Sequence, residues 1–302
     1  ADREGHRGTF TQWYHWMAEN VTIEAAQFKK QVQRLVAEWS WPLDALVIVK
    51  GKANDDAQEF KSTAMHHWLF GVEFPETAIG LLKSGRVVVL SSNKKLSYLR
   101  HLEGPEMVLL QRSGPDAEEQ QLKTFAIAVR AGKEKAMVGF LLKETHVGPF
   151  AEIAMRELLK MPGLQVTECK DELAGLLAVK TEEELVVCRK AALLAQLIMS
   201  GHFMKRLEDV IDRDLKQSNA QVCQEVEKVL DNEELMANWK QKYDLDPGEV
   251  EVVYISLQSG TQFKIEPAAG PTKEQVPMQG TYVMSIGAKY IEYNACISRT
   301  LF

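Results

Sequence analysis

Between Ala45 and Thr167 short runs of branched apolar residues alternate with longer stretches of helical periodicity. This alternation constrains the fold more than any other feature, because it specifies an α/β lobe: a largely buried sheet with helices packed on it. The runs that read as strands are Ala45–Val49, Thr77–Leu82, Arg86–Leu90, Met107–Leu110, Ala136–Leu141 and Gln165–Thr167. Ahead of them a helix is expected from Val21 to Trp39, since Phe28, Val32, Leu35, Val36 and Trp39 recur at steps of three and four. Trp41-Pro42 stops it, because the residue before a proline avoids helical angles. Further helices are expected over Phe60–Phe70, closed by Gly71, and over Glu118–Ala131 and Pro149–Lys160. Lys83-Ser84-Gly85 reads as the turn of a hairpin. Ser91-Ser92-Asn93 offers caps for a helix running through Leu102.

The texture changes near Asp171–Thr181. Thr181, three residues before Glu184, forms a capping box. It opens a long helix to about Ser200, with Leu185, Cys188, Ala192, Ala195 and Ile198 on one face and Gly201 at its end. Two more helical stretches, His202–Leu215 and Asn219–Leu230, precede strands over Val250–Leu257, Thr281–Ile286 and Tyr290–Leu301. Helices followed by strands specify an α+β lobe. The expected domains are therefore 1–172 and 173–302.

Charge and cysteine usage exclude several classes of function. The net charge is −6, most of it carried by residues 173–302. An acidic excess does not suit a primary DNA binder, which needs a basic field. Asp231, Glu233, Glu234, Asp244, Asp246, Glu249 and Glu251 cluster in sequence. They read as a solvated loop, or alternatively as a landing site for Lys/Arg-rich tails. Cys169, Cys188, Cys223 and Cys296 show no C-x-x-C spacing, so neither a zinc site nor a redox motif is indicated, and scattered thiols fit a reducing compartment. No apolar stretch reaches the roughly 20 residues of a membrane span. The chain opens on Ala1-Asp2-Arg3-Glu4, with neither an apolar signal core nor an initiator Met, and is expected to be a processed or partial sequence.

Two segments carry a family resemblance. Residues 60–77, FKSTAMHHWLFGVEFPET, closely resemble the KS-x-A-x-x-x-WL-x-G-x-EFP-x-T signature of the large-subunit family of the FACT histone chaperone, and Ser91-Ser92-Asn93-Lys94-Lys95 continues the likeness. Residues 285–300, SIGAKYIEYNACISRT, are similar to a strand pair of the creatinase/aminopeptidase P (pita-bread) superfamily, to which that FACT module belongs by fold. The resemblance implies an α/β amino lobe followed by an α+β pita-bread lobe. The second lobe is expected to be incomplete, its last strands left as an exposed edge.

The resemblance also implies where the chain departs from the enzymes. Pita-bread peptidases bind two metal ions, partly through two aspartates in this strand pair. The first should stand two residues before the strand's glycine, where this chain has Ser285. The second should stand three before the arginine, where it has Cys296. Hard divalent ions need anionic oxygens, which a serine hydroxyl does not supply, and one thiol without partners is not a metal site. Cys296 is expected as a packed apolar strand residue. None of the seven histidines lies beyond His202. No catalytic residue, metal or cofactor is expected, and Glu266, Ser285, Glu292, Cys296 and Arg299 are read as a degenerate cleft.

Function then falls to surfaces. The resemblance implies core histones as partners, in nucleosome disassembly and reassembly, and a second FACT subunit reached through parts outside this chain. It places the protein in the nucleus, on the chromosome. Direct DNA binding and membrane contact are not expected. Candidate histone contacts are Lys61, Ser62, Ser91, Ser92, Lys94 and Lys95, where backbone amides and hydroxyls at helix starts can meet a partner. Plain N-capping with solvated lysines is the alternative. Phe74 is expected to bury against the sheet. Two rival readings are an active aminopeptidase P-like enzyme and a purely structural lobe of a larger chaperone.

Overall fold

The computed structural model describes residues 23–52, 60–261, 263, 264, 266 and 269–302. The chain divides into two compact units, Ala1–Val179 and Lys180–Phe302.

In the first unit α1 (Ala25–Glu38) buries Phe28, Val32 and Leu35 on one stripe. The expected start at Val21 lies outside the described residues. Strand β1 (Ala45–Lys50) is buried along its whole length, as a central strand covered on both faces must be. Helix α2 (Lys61–Phe70) stops at Gly71, whose left-handed φ of 76° lets its N–H return to the His67 carbonyl. The hairpin β2 (Thr77–Leu82) and β3 (Val87–Ser92) follows, then the short α3 (Asn93–Ser97), β4 (Met107–Arg112) and α4 (Pro115–Arg130). β5 (Ala136–Phe140), α5 (Pro149–Leu158), β6 (Leu164–Glu168) and α6 (Lys170–Ala178) complete the unit. The sheet order is β4-β3-β2-β1-β5-β6, and only β2 runs against the others. One core lies between the sheet and α1, α2 and α6, and a second between its other face and α4 and α5.

One expectation is corrected here. Ser91 does not cap a helix: it is the fifth residue of β3, and the helix expected through Leu102 is the short α3 followed by a 3-10 turn at Arg100–Leu102. Ser92 takes the N-cap position with no side-chain cap bond. The division between the units falls within the expected stretch Asp171–Thr181, and Leu173 and Leu176 of α6 bury in the first core. The compact unit therefore runs on to Val179.

In the second unit α7 (Glu182–Ile198) opens on the expected capping box: Thr181 Oγ1 accepts from the Glu184 N–H at 3.2 Å, and Glu184 Oε2 accepts from the Thr181 N–H at 2.7 Å. Gly201 does not end this helix. It sits in a π-helical turn, Met199–Phe203, that leads without a break into α8 (Met204–Asp212). Buried Phe203, Leu207 and Val210 keep the helix against the core past the glycine. After α9 (Asn219–Glu227) and a 3-10 turn comes α10 (Glu233–Tyr243), where a solvated acidic loop was expected. Asn232 caps it, Glu233 and Glu234 sit in the first turn where negative charge suits the helix dipole, and Met236 and Trp239 bury. Strands β7 (Val250–Ser259), β8 (Tyr282–Tyr290) and β9 (Tyr293–Leu301) form an antiparallel sheet in that order, with α7–α10 packed on one face.

Candidate functional site

The carboxyl ends of β1, β3 and β4 meet the amino end of β2 along one edge of the first sheet. Lys50 pairs with Thr77 across β1 and β2, and Ser92 pairs with Arg112 across β3 and β4. Open α/β sheets place their ligand sites at this edge. Here it is occupied by a polar frame around the turn 73–76, the EFPE of the signature.

Each turn residue is held by a different partner. Phe74 donates its N–H to His66 Nδ1 at 3.0 Å. An accepting Nδ1 assigns the proton to Nε2, so the ring is neutral, and complete burial pushes its pKa well below the ordinary histidine range. The Pro75 carbonyl accepts from Lys95 Nζ and, at 3.2 Å, from Thr77 Oγ1. With its hydroxyl proton used there, Thr77 accepts from Ser91 Oγ at 2.6 Å. The Glu76 carbonyl accepts from Arg112 at 2.9 Å, and Arg112 also pairs with buried Glu118 at 2.9 Å. Glu73 forms an ion pair at 3.2 Å with Lys50 Nζ, which donates to Thr63 Oγ1 at 2.6 Å. The Phe74 ring lies edge-on to Phe70 with centroids 5.5 Å apart, so it is core, as expected.

Most of the signature therefore builds this turn. Of the six candidate contacts, Ser62, Ser91 and Lys95 are buried, Lys61 and Ser92 are half-buried, and Lys94 is exposed. The Ser62 N–H meets Glu144 Oε2 at 3.2 Å. Sequence reasoning missed Lys50, Thr77, Arg112 and Glu118. The available signal was a charged residue ending each of two strands that begin as apolar runs, at Lys50 and Arg112.

Gly51 adds a tight contact at the same edge. Its carbonyl accepts from the Glu76 N–H at 2.8 Å, and a Cβ at this position would stand 2.1 Å from the Val147 carbonyl oxygen. Gly51→Ala is expected to force these backbones apart and to destabilise the unit by about 1–3 kcal/mol or more. A denaturation midpoint equal to that of the parent would show that the 147 segment yields freely.

In the second unit Ser285 and Cys296 lie on one face of β8 and β9, because Ser285 pairs with Ser298, Cys296 pairs with Gly287, and alternate residues share a face. The Ser285 and Ser298 hydroxyls are 2.8 Å apart. Cys296 is exposed rather than packed, since the buried face of β8 carries Met284, Ile286 and Ala288 and Cys296 points the other way. Arg299 follows Ser298 directly and so belongs to the opposite face, and its side chain donates to the Ser298 carbonyl at 2.8 Å. Glu292 sits in the β8–β9 turn with φ 58°, away from the Ser285 row. Glu266 is exposed in the segment after β7. Gln258 clamps the Lys264 backbone through both ends of its amide at 2.7 and 3.1 Å, and Tyr254 OH donates to the Ala269 carbonyl at 2.8 Å. That segment therefore covers the outer side of β7, while the β8–β9 part of the face stays open. Among the described residues no three His, Cys, Asp or Glu side chains group as a metal site.

An α/β lobe followed by helices packed on an antiparallel sheet is the creatinase/aminopeptidase, or pita-bread, class of fold. The dipeptidase PepE from Mycobacterium ulcerans shares it: TM-score 0.59 at 18% identity, covering 93% of this chain and 66% of that one. The more particular likeness is to SPT16 of the FACT complex: residues 23–170 match the family model described as the FACT complex subunit SPT16 N-terminal lobe domain. The N-terminal domain of SPT16 from Cicer arietinum superposes with TM-score 0.81 at 26% identity, over 92% of this chain and 67% of that one. SPT16 of Mycosarcoma maydis is 26% identical over 94% of this chain, which spans only 29% of that relative's length.

Proposed function

We propose that this chain is a non-catalytic histone-binding module of a FACT-type histone chaperone, acting on the chromosome in the nucleus, where nucleosomes are taken apart and rebuilt. The observation that carries the reading is similarity to SPT16 along 94% of the chain, through both compact units. The open β8–β9 face supports the non-catalytic part. Ser285 and Cys296 share that face, as metal-bridging aspartates would, but they offer a hydroxyl and a thiol where a pair of hard cations needs carboxylates. The accessible contacts in the first unit are then Lys61, Ser92 and Lys94, with Ser62, Ser91 and Lys95 as their framework.

A pull-down of core histones by the purified chain at two salt concentrations tests the binding. Retention at low salt that falls at high salt is the expected result, since exposed charge pairs are screened within roughly 10 Å at 0.1 M salt. No retention at low salt favours a purely structural lobe. An Xaa-Pro cleavage assay with manganese or cobalt tests the other half, and turnover above background would return the chain to the metallopeptidases.

A further inference from the structure

The π-helical turn that replaces the expected helix end opens beside a hollow of about 450 Å³ in the second unit. π-helical turns inside α-helices occur frequently at functional sites. The hollow is bounded by this turn, α8, the end of α9 and the start of α10. Its floor is apolar: Val226 is buried, and Val229 and Leu235 are half-buried.

The charges around it are not equivalent. Both acids that line it are already matched. Asp209 is held by Arg206 at 2.6 Å and by Arg213 at 2.7 Å. Glu225 is held by Arg206 at 2.5 Å and by the Gln217 amide at 2.8 Å. The two lysines that line it, Lys205 and Lys228, are exposed, and their ammonium groups make no hydrogen bond or ion pair among the described residues. His202 stands edge-on to Trp239 at 5.8 Å, and burial together with the nearby Lys205 ammonium holds its pKa below the ordinary range. At neutral pH the ring is therefore uncharged and presents a single N–H donor.

We infer that this hollow is a docking site for a short acidic peptide segment carrying an apolar anchor. The anchor would rest on Val229 and Leu235, and carboxylates on either side would meet Lys205 and Lys228. Charge decides the partner. A basic tail would meet two unmatched lysines and find both acids already taken. A nucleic acid needs a broad basic surface, whereas exposed Glu227, Glu233 and Glu234 lie on the same stretch of chain and confine the positive charge to the hollow. A small anion alone would leave the apolar floor unused.

The test uses the full chain and a fluorescein-labelled synthetic peptide with one leucine flanked by glutamates, followed by anisotropy at low salt. Saturable binding is expected, weakened about tenfold or more by Lys205→Glu with Lys228→Glu, because rim charges steer and hold such a partner. Lys273→Glu, an exposed charge reversal elsewhere in the unit, is expected to leave it unchanged. A peptide with serine in place of the leucine should bind more weakly. The proposal is overturned by absence of saturable binding, by binding that survives the double reversal, by an equal loss in Lys273→Glu, or by equal affinity for the serine peptide. None of these outcomes bears on histone retention, which concerns basic partners.

Discussion

Lys50→Ala is expected to destabilise the amino-terminal unit by about 3–5 kcal/mol, the usual cost of breaking a buried ion pair from one side. Lys50 ends a fully buried strand and is 2% exposed. Its ammonium reaches Thr63 at 2.6 Å and Glu73 at 3.2 Å, and it lies 5.9 Å from the centroid of the Phe60 ring. It thereby ties the first turns of α2 to the turn at 73–76. Alanine removes the charge and leaves Glu73, whose side chain is only 15% exposed, without its cation. The pair itself need not be a net stabiliser, since two desolvated ions recover their hydration cost only with good geometry. Lys50→Met combined with Glu73→Gln removes both charges at nearly constant volume and should recover most of the loss. Chemical denaturation of the parent, the single and the double variant checks this. A loss under about 1 kcal/mol for Lys50→Ala would mean that Glu73 finds water or another cation, and the frame would then not depend on Lys50.

The sequence makes some of this visible and hides the rest, for identifiable reasons. Strands β1, β2 and β5 are legible because burial on both faces selects unbroken apolar runs. The Thr181 capping box is legible because its two bonds need particular residues at a fixed spacing. Helix α10 is hidden because the acids that favour its first turn also mimic a solvated loop, and only Met236 and Trp239, three residues apart, mark its buried stripe. Gly201 misleads because glycine ends a helix by adopting positive φ, and this one keeps to the helical region. The burial of two candidate contacts is hidden in a similar way. Ser91 and Lys95 look like exposed polar residues at a strand-to-helix junction, yet both bury because the Pro75 and Thr77 backbone and hydroxyl need partners that only the fold brings near. In the second unit, strand alternation alone separates Arg299 from Cys296, a distinction that was available once the β9 register was known.

The stability of the same frame is expected to rise with pH through the action of Lys95. Its side chain is 7% exposed, and burial lowers its pKa from 10.5 to about 8, an effect opposed by Glu76 and Glu73 and reinforced by Arg112. Below about pH 8 the lysine is charged in both the folded and unfolded chain, and the folded state bears the full burden of the buried charge. Between about 8 and 10.5 the folded chain has released the proton while the unfolded chain still holds it. The unfolded state then binds more protons, so stability increases with pH across this window and levels off above it. At 1.36 kcal/mol per unit the gain is on the order of 3 kcal/mol. The bond to the Pro75 carbonyl survives, because a neutral amine still donates. Cys169 in the same unit works in the opposite direction: burial raises its thiol from 9.0 to about 12, so the unfolded chain loses that proton first and stability falls above about pH 9. The difference between the parent and Lys95→Met isolates the lysine. At pH 7 the variant should be as stable as the parent or more so. The comparison should shift toward the parent by about 3 kcal/mol as the pH is raised to 10.5. A difference that stays constant over that range would show that Lys95 keeps its proton in the fold and that the cavity around the turn solvates a charge.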